Sequence, residues 1–226
     1  MINIGSCYYD EAYRHGKVFS YRRWLYKPFL RALVGKANLR AGCSVLDVGC
    51  GQGFFSQLIA DLGFKPLGID LSAEGIRLAE EDYGSTAARF EVGEALSLDH
   101  KGEFDCVFAR GLSLYNCKNL EQTHEVTKAL LEYLRPGGVM IFAYGTILCP
   151  RKRSESWMHH SLSDARKYFS SYPGAKVYFS LRIETLLFGS WAFSLPFTFS
   201  SALISRIVGV GGDLIALVPR SSLERT

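Results

Sequence analysis

Ser44-Val-Leu-Asp-Val-Gly-Cys-Gly-Gln-Gly-Phe54 is the stretch on which the reading of this 226-residue chain turns. Val45 to Val48 is a short apolar run of the kind that forms a buried strand. It runs into Gly49, Gly51 and Gly53, and then into Phe54-Phe-Ser-Gln-Leu-Ile-Ala60, whose apolar spacing is helical. Strand, glycine turn and helix start together make a ligand cradle. The glycines lack Cβ atoms and take positive φ angles, so backbone can come close to a ligand, and a helix N-terminus offers unpaired N–H groups. The dinucleotide fingerprint G-x-G-x-x-G would need glycine at position 54, where this chain has Phe54. The spacing here is D-x-G-x-G-x-G, with Asp47 ahead of the first glycine.

Outward from the cradle, the second strand lies in Leu62-Gly-Phe-Lys-Pro-Leu-Gly-Ile-Asp70 and ends in an acid. An acid at this tip, about twenty residues past the glycine turn, can accept hydrogen bonds from both ribose hydroxyls of a nucleoside. It could instead cap the helix predicted over 73–82, although Ser72 is better placed for that. A third strand over 88–92 leads into Gly93-Glu94-Ala95. Glu103 to Arg110 reads as a fourth strand feeding the loop Gly111-Leu-Ser-Leu-Tyr115-Asn116, at a strand end where open parallel sheets place their chemistry. Asn119 is placed to cap a helix with the stripe Leu120, Thr123, Thr127, Leu130, Leu131 and Leu134. Arg135-Pro-Gly-Gly138 breaks it, and a fifth strand is predicted over 139–144. Then follow a helix over 161–169, a long strand over 175–187, a helical patch over 200–208 and a last strand over 213–218.

The motif D-x-G-x-G-x-G, the acid at Asp70, the Glu94-Ala95 pair and L-R-P-G-G-x-x-x-I resemble, in that order, the class I S-adenosylmethionine-dependent methyltransferases. The resemblance covers roughly residues 40–148 by motif and the remainder by element order. It implies a Rossmann-like three-layer α/β sandwich: a mostly parallel seven-stranded sheet with an antiparallel C-terminal strand and helices on both faces. It also implies S-adenosylmethionine as cofactor, S-adenosylhomocysteine as its product, and no metal. The cofactor-binding residues would be Asp47, Gly49, Cys50, Gly51, Gly53, Asp70, Leu71, Glu94, Ala95, Ala109 and Arg110. In this assignment the turn amides receive the methionine end, the Ala109 carbonyl its ammonium, Asp70 the ribose and Glu94 the adenine amino group. The family commonly has Asp where this chain has Glu94.

The acceptor half is less marked. Arg110, Tyr115 and Asn116 occupy the loop expected to border the reacting centre, and His15, His159 and His160 are the candidate bases because imidazole titrates near neutrality. The expected function is methyl transfer to a small-molecule acceptor. An RNA methyltransferase using the basic N-terminal segment, and a non-catalytic cofactor-binding subunit, are the alternatives. No D/N-P-P-Y/F follows the fourth strand, which sets aside the DNA-methylating groups.

Composition fits a single domain, read as a helical cap (1–40), a cofactor-binding core (41–150) and a substrate-side and edge-strand region (151–226). Six scattered cysteines without a C-x-x-C pair argue against a zinc site or disulfide framework and for a reducing cytoplasm. The first residues, Met1 to Glu11, have early acids and no apolar core of a secretory signal. Net charge is +4, with Arg14, Lys17, Arg22, Arg23, Lys27, Arg31, Lys36 and Arg40 concentrated early. These suit a solvated helical face or an anionic partner. Tyr8, Tyr9, Tyr13, Tyr21, Trp24 and Tyr26 read as packing aromatics. Between Glu184 and Arg206 no residue is charged. Gly189, Pro196 and five serines interrupt that stretch, so it reads as an apolar wall, facing a substrate or a second copy, rather than a membrane-spanning helix.

Overall fold

A computed structural model describes residues 6–15, 21–152 and 157–225. Lys17 of the basic run, residues 1–5 and the side chain of Cys7 lie outside the described residues. Seven strands form one sheet: β1 (Ser44–Val48), β2 (Lys65–Asp70), β3 (Arg89–Val92), β4 (Phe104–Arg110), β5 (Leu134–Thr146), β6 (Lys176–Ser180) and β7 (Gly212–Pro219). Their order is β3-β2-β1-β4-β5-β7-β6. The first five run parallel, and β7 is antiparallel to both β5 and β6. This is the sheet the resemblance implies.

Side-chain alternation along the strands separates two apolar layers. On one face Leu46, Val107 and Phe142 pack with residues of α5 (His124–Glu132) and α6 (Leu162–Phe169), including Leu130 and Phe169. On the other, Val45, Phe108 and Ile141 meet α2 (Arg23–Lys36) and α3 (Phe54–Ala60) through Phe29, Leu33 and Leu58. Chain order reverses between β1 and β4, so their carboxyl ends splay and leave a crevice, where ligands bind in open α/β sheets.

The N-terminal helices are α1 (Ser6–Arg14) and α2, and α4 (Ala73–Tyr83) follows β2. Ser72 caps α4, its hydroxyl accepting from Gly75 N–H at 3.0 Å. Asp10 ties α1 to the same point, its carboxylate accepting from Ser72 Oγ and from Glu74 N–H at 3.1 Å.

Three expectations need correction. Pro28 suits a helix first turn by sequence, but it lies well inside α2, because the helix begins five residues earlier, at Arg23. The carbonyl left without an i+4 amide is that of Trp24, an exposed residue, where water can serve it. The long strand over 175–187 ends at Ser180. The Glu184 carboxylate accepts from Leu181 N–H at 3.1 Å, and α7 (Glu184–Phe188) starts there, where β-branched and aromatic residues give way to the helix-formers Glu184, Leu186 and Leu187. The fifth strand starts at Leu134, pairing with Phe104 across a register shift. Arg135-Pro-Gly-Gly138 is thus an irregularity within β5, with Gly137 at φ +82°. The helical patch over 200–208 is the later part of α8 (Leu195–Val208).

The 3-10 turn Gly189–Phe193 returns the chain to the core through Phe193, which is fully buried against Phe29 and Tyr178. Phe193→Ala is expected to cost about 3–5 kcal/mol in urea unfolding; a loss below about 1 kcal/mol would mean this segment does not contribute to the core.

Candidate functional site

A cleft of about 670 Å³ lies over the carboxyl ends of β1, β2 and β4. Its floor is the glycine turn, with φ of +73°, +53° and +78° at Gly49, Gly51 and Gly53. A Cβ on Gly51 would lie 2.6 Å from the Tyr13 hydroxyl, and one on Gly53 would lie 2.8 Å from the Phe90 ring. Gly51 therefore lets α1 lie close over the turn, and Gly53 lets α3 pack against the sheet.

The turn amides are not free donors. Gly49 and Cys50 N–H donate to the Ile69 carbonyl at 2.8 and 2.9 Å, Gly53 N–H to Cys50 O at 3.0 Å, and Gly51 N–H to Asp70 Oδ2 at 2.8 Å. These four N–H groups are each bonded within the protein, so a methionine end received around Gly49 to Gly53 would have to share them. The turn contributes space and fixes Asp70.

Asp70 lines the cleft at the tip of β2, its other oxygen accepting from Ser72 N–H at 2.9 Å. Burial raises its carboxyl above the ordinary range, and the backbone bonds from Ser72 and Gly51 oppose that rise. Asp47 lies beneath the turn, off the cleft wall, buried and accepting from Ser56 Oγ at 2.6 Å. Burial pushes its carboxyl up to about 7, against the pull of the Ser56 hydroxyl, with the nearby Asp70 carboxylate adding to the rise. A cation entering here would relieve both acids.

Leu71, Glu94 and Ala95 stand on the adjoining wall. Gly93 N–H donates to the Asp70 carbonyl at 3.0 Å. Tyr133 fixes the loop, its hydroxyl donating to Ala95 O at 3.0 Å and accepting from Leu98 N–H at 3.1 Å. Ala109 is buried within β4 and Gly53 beneath the turn, so neither side faces the cleft.

At the opposite end Arg110 is 8% exposed, its guanidinium 4.5, 5.0 and 5.3 Å from the rings of Phe55, Tyr26 and Tyr21. One of its terminal nitrogens lies 3.4 Å from the fully buried Asp213, and its Nε has no partner. Arg182 also binds Asp213, Nε to Oδ2 at 2.5 Å. Burial would lower the Arg182 pKa, but Asp213 outweighs it and the net direction is upward. Two guanidiniums against one carboxylate leave a net buried positive charge beside the cleft.

The remaining predicted residues separate. Asn116 lines the cleft, and its Oδ1 accepts from Met158 N–H at 2.8 Å. Tyr115 does not line it: the residue is fully buried and its hydroxyl meets Thr127 at 2.8 Å. His160 is buried, and its Nε2 donates to the Tyr115 carbonyl at 3.0 Å. His159 Nδ1 accepts from Ile147 N–H at 3.1 Å, and His15 is exposed beside Glu11. None of the three histidines borders the cleft. Burial raises the phenols of Tyr13 and Tyr21 and the thiol of Cys50, all on the wall, so these stay protonated at neutral pH.

Sequence reasoning missed the roof. Tyr9, Tyr13 and Tyr21 line the cleft, and the i,i+4 spacing of the first two on a helix was the available signal. Trp157 and Leu112 complete the apolar lining. Among the described residues no three His, Cys, Asp or Glu side chains gather as a metal site.

A parallel sheet with a switch-point cleft, a glycine turn beneath it and an acid at the second strand tip defines a nucleoside-binding α/β protein. Residues 39–185 match the family model described as "Methyltransferase domain". The chain is 34% identical over 112 residues to the 2-methyl-6-phytyl-1,4-hydroquinone methyltransferase of Synechocystis, covering 48% of this chain and 34% of that protein. It is 34% identical over 107 residues to the ubiquinone biosynthesis O-methyltransferase of Methylococcus capsulatus, covering 46% and 44%. The chain spans about half the length, or less, of these curated relatives. Among solved structures, phosphoethanolamine N-methyltransferase 2 of Haemonchus contortus, in complex with S-adenosyl-L-methionine, superposes with a TM-score of 0.62 at 16% identity, over 96% of this chain and 57% of that one. A TehB-like methyltransferase of Corynebacterium glutamicum gives 0.56 at 18% identity, over 93% and 97%. These structural likenesses are to the fold. The chain belongs to the class I S-adenosylmethionine-dependent methyltransferases.

The raised Asp47 makes a signed prediction. Its folded-state value of about 7 stands above the ordinary 3.8, so the folded protein holds this proton more tightly than the unfolded chain. That contribution is complete below the unfolded value and is lost as pH rises from about 4 to about 7. Asp47→Asn is expected to leave Tm near wild type at low pH and to gain a few degrees over it above pH 7. A Tm difference that does not change with pH would contradict the assignment.

Proposed function

We propose that this protein transfers a methyl group from S-adenosylmethionine to a small-molecule acceptor bound beneath α1. When bound, the cofactor supplies a methyl on a cationic sulfur, already activated for in-line displacement. Transfer would break the carbon–sulfur bond as the carbon–acceptor bond forms, with S-adenosylhomocysteine as the leaving group and any acceptor proton passing to solvent. The protein's work is then positioning and exclusion of water, with acceptor and methyl about 3 Å apart.

The observation that carries this reading is Asp70, a half-buried carboxylate at the cleft's edge, held by Gly51 and Ser72 amides with lone pairs left for two ribose hydroxyls. Glu94 would accept from the adenine amino group. Arg110, with its unpartnered Nε, would take the cofactor carboxylate. The Asp70 carboxylate would favour a cationic ligand over an anionic one at that end.

Aromatic and apolar walls from Tyr21, Phe54, Leu112 and Trp157 support a small, largely apolar acceptor, and the ring acceptor and quinone pathway named in the two curated relatives point the same way. The absence of histidine from the wall favours an acceptor atom already deprotonated at neutral pH, or one that sheds its proton to water after transfer. The basic N-terminal residues do not line the cleft, and Arg23 and Lys27 are paired with Asp61, which weighs against RNA. The five cysteines whose side chains are described are free thiols, which suits a reducing cytoplasm.

Asp70→Ala is expected to weaken cofactor binding ten- to a hundredfold, as about 1.5–3 kcal/mol of charged hydrogen bonding is lost; an unchanged Kd in calorimetry would remove that role. Purified protein given methyl-labelled cofactor and a fractionated metabolite extract should label a low-molecular-weight product. Label confined to RNA would replace this reading.

A further inference from the structure

Helix α8 is built inside out. Its buried positions are Thr198, Ser201 and Ser205, and its exposed face carries Phe199, Leu203, Ile204 and Ile207. The buried hydroxyls are all used: Thr198 Oγ1 accepts from Phe179 N–H, Ser201 Oγ donates to Glu184, and Ser205 Oγ donates to Val210 O at 2.7 Å. The helix is therefore anchored by polar bonds and turns its apolar residues outward, the reverse of a helix on a water-facing surface.

The exposure extends beyond α8. Of the sixteen large apolar side chains exposed among the described residues, twelve fall between Ile183 and Val210. Trp191 is 77% exposed, Leu187 75% and Ile207 72%. Scattered exposed apolar residues need no explanation, but a contiguous set of this size marks a surface made to meet an apolar phase. The family model ends at residue 185, so nearly all of this surface lies past the part that defines the methyltransferase.

Charge identifies the phase. Glu184 is the only acid between residues 183 and 210, and its carboxylate is occupied by Ser180, Leu181 and Ser201. The bases around the patch have no such partner on α7 or α8. Arg206 stands exposed on α8, Arg166 lies 4.8 Å over the Phe199 ring, and Lys152 reaches the Val208 carbonyl at 3.0 Å. A two-fold dimer through this face would bring Arg206 toward its own copy, with Glu184, the one acid of the segment, already occupied. An apolar face with an interfacial tryptophan and a basic rim matches an anionic bilayer surface. No described helix is long and apolar enough to cross a membrane. At 14 residues, α8 is about 21 Å long, enough to lie in the headgroup plane.

We propose that α7 and α8 form a platform that seats this protein on an anionic lipid bilayer, with Leu187, Trp191, Leu203 and Ile207 immersed at the acyl boundary. The platform adjoins the cleft: Ile183 follows Arg182, which shares Asp213 with Arg110 on the cleft wall.

The test is flotation of the full chain with phosphatidylcholine vesicles, with and without phosphatidylglycerol, and needs no methyl transfer. Binding to the anionic vesicles is expected at least about tenfold tighter than to the neutral ones. Leu203→Glu with Ile207→Glu is expected to reduce it a further tenfold or more. Both residues are exposed, and an unchanged Kd for S-adenosylhomocysteine would show that the variant folds and that the cofactor reading stands apart from this one. No flotation by wild type at saturating anionic lipid would overturn the proposal. So would a dimer in light scattering that the same substitutions dissolve while vesicle binding is absent.

Discussion

The Asp70 carboxylate is the constraint on which the site depends. One oxygen holds the Gly51 amide at the crest of the turn after β1, and the other holds the Ser72 amide where α4 begins. A single half-buried carboxylate thus joins the first two strand tips, and the backbone carbonyl of the same residue receives Gly93 from the third. Its elevation by burial is the cost of placing a charge there, and the two amide bonds keep it available as an acceptor. Loss of this bracket would separate three loops that share one wall of the cleft.

Around that anion the cleft is electrostatically divided. Asp70 puts a carboxylate at the tip of β2, while Arg110 and Arg182 share Asp213 and leave a net positive charge beside the cleft. A ligand carrying hydroxyl donors and a carboxylate finds a partner for each in such a field. The aromatic rings of Tyr21, Tyr26 and Phe55 around Arg110 lower the cost of burying its charge without neutralising it. Catalysis by displacement at a preactivated methyl asks for alignment more than for acid–base groups, which agrees with a wall whose phenols and Cys50 thiol remain protonated.

Much of this was legible in the sequence, for a physical reason. A strand, a turn needing positive φ and a strand-end acid are local, backbone-level requirements, and Gly49, Gly51, Gly53 and Asp70 meet them within about thirty residues. What was not legible depends on distant partners. The turn amides are consumed by Ile69 and Asp70, which belong to the neighbouring strand. Tyr115 and His160 carry the right chemistry, yet they are turned into the core by Thr127 and by a backbone carbonyl. Tyr9 and Tyr13 of the tyrosine roof come from α1, whose docking hangs on Asp10 and Ser72, sixty-two positions apart in the sequence. In α8 the buried stripe is Thr198, Ser201 and Ser205, set by partners outside the helix at Phe179, Glu184 and Val210.

The proposed pose lays a nucleoside along the Asp70 bracket, with the methionine end of the ligand toward Arg110. It is checked by titrating S-adenosylhomocysteine into ¹⁵N-labelled protein and following the amide shifts. Saturable shifts at Gly51, Ser72, Glu94 and Gly111, with the amides of α8 unmoved, are the predicted result. Absence of shifts at Gly51 and Ser72, or saturation with shifts confined to other surfaces, would contradict it.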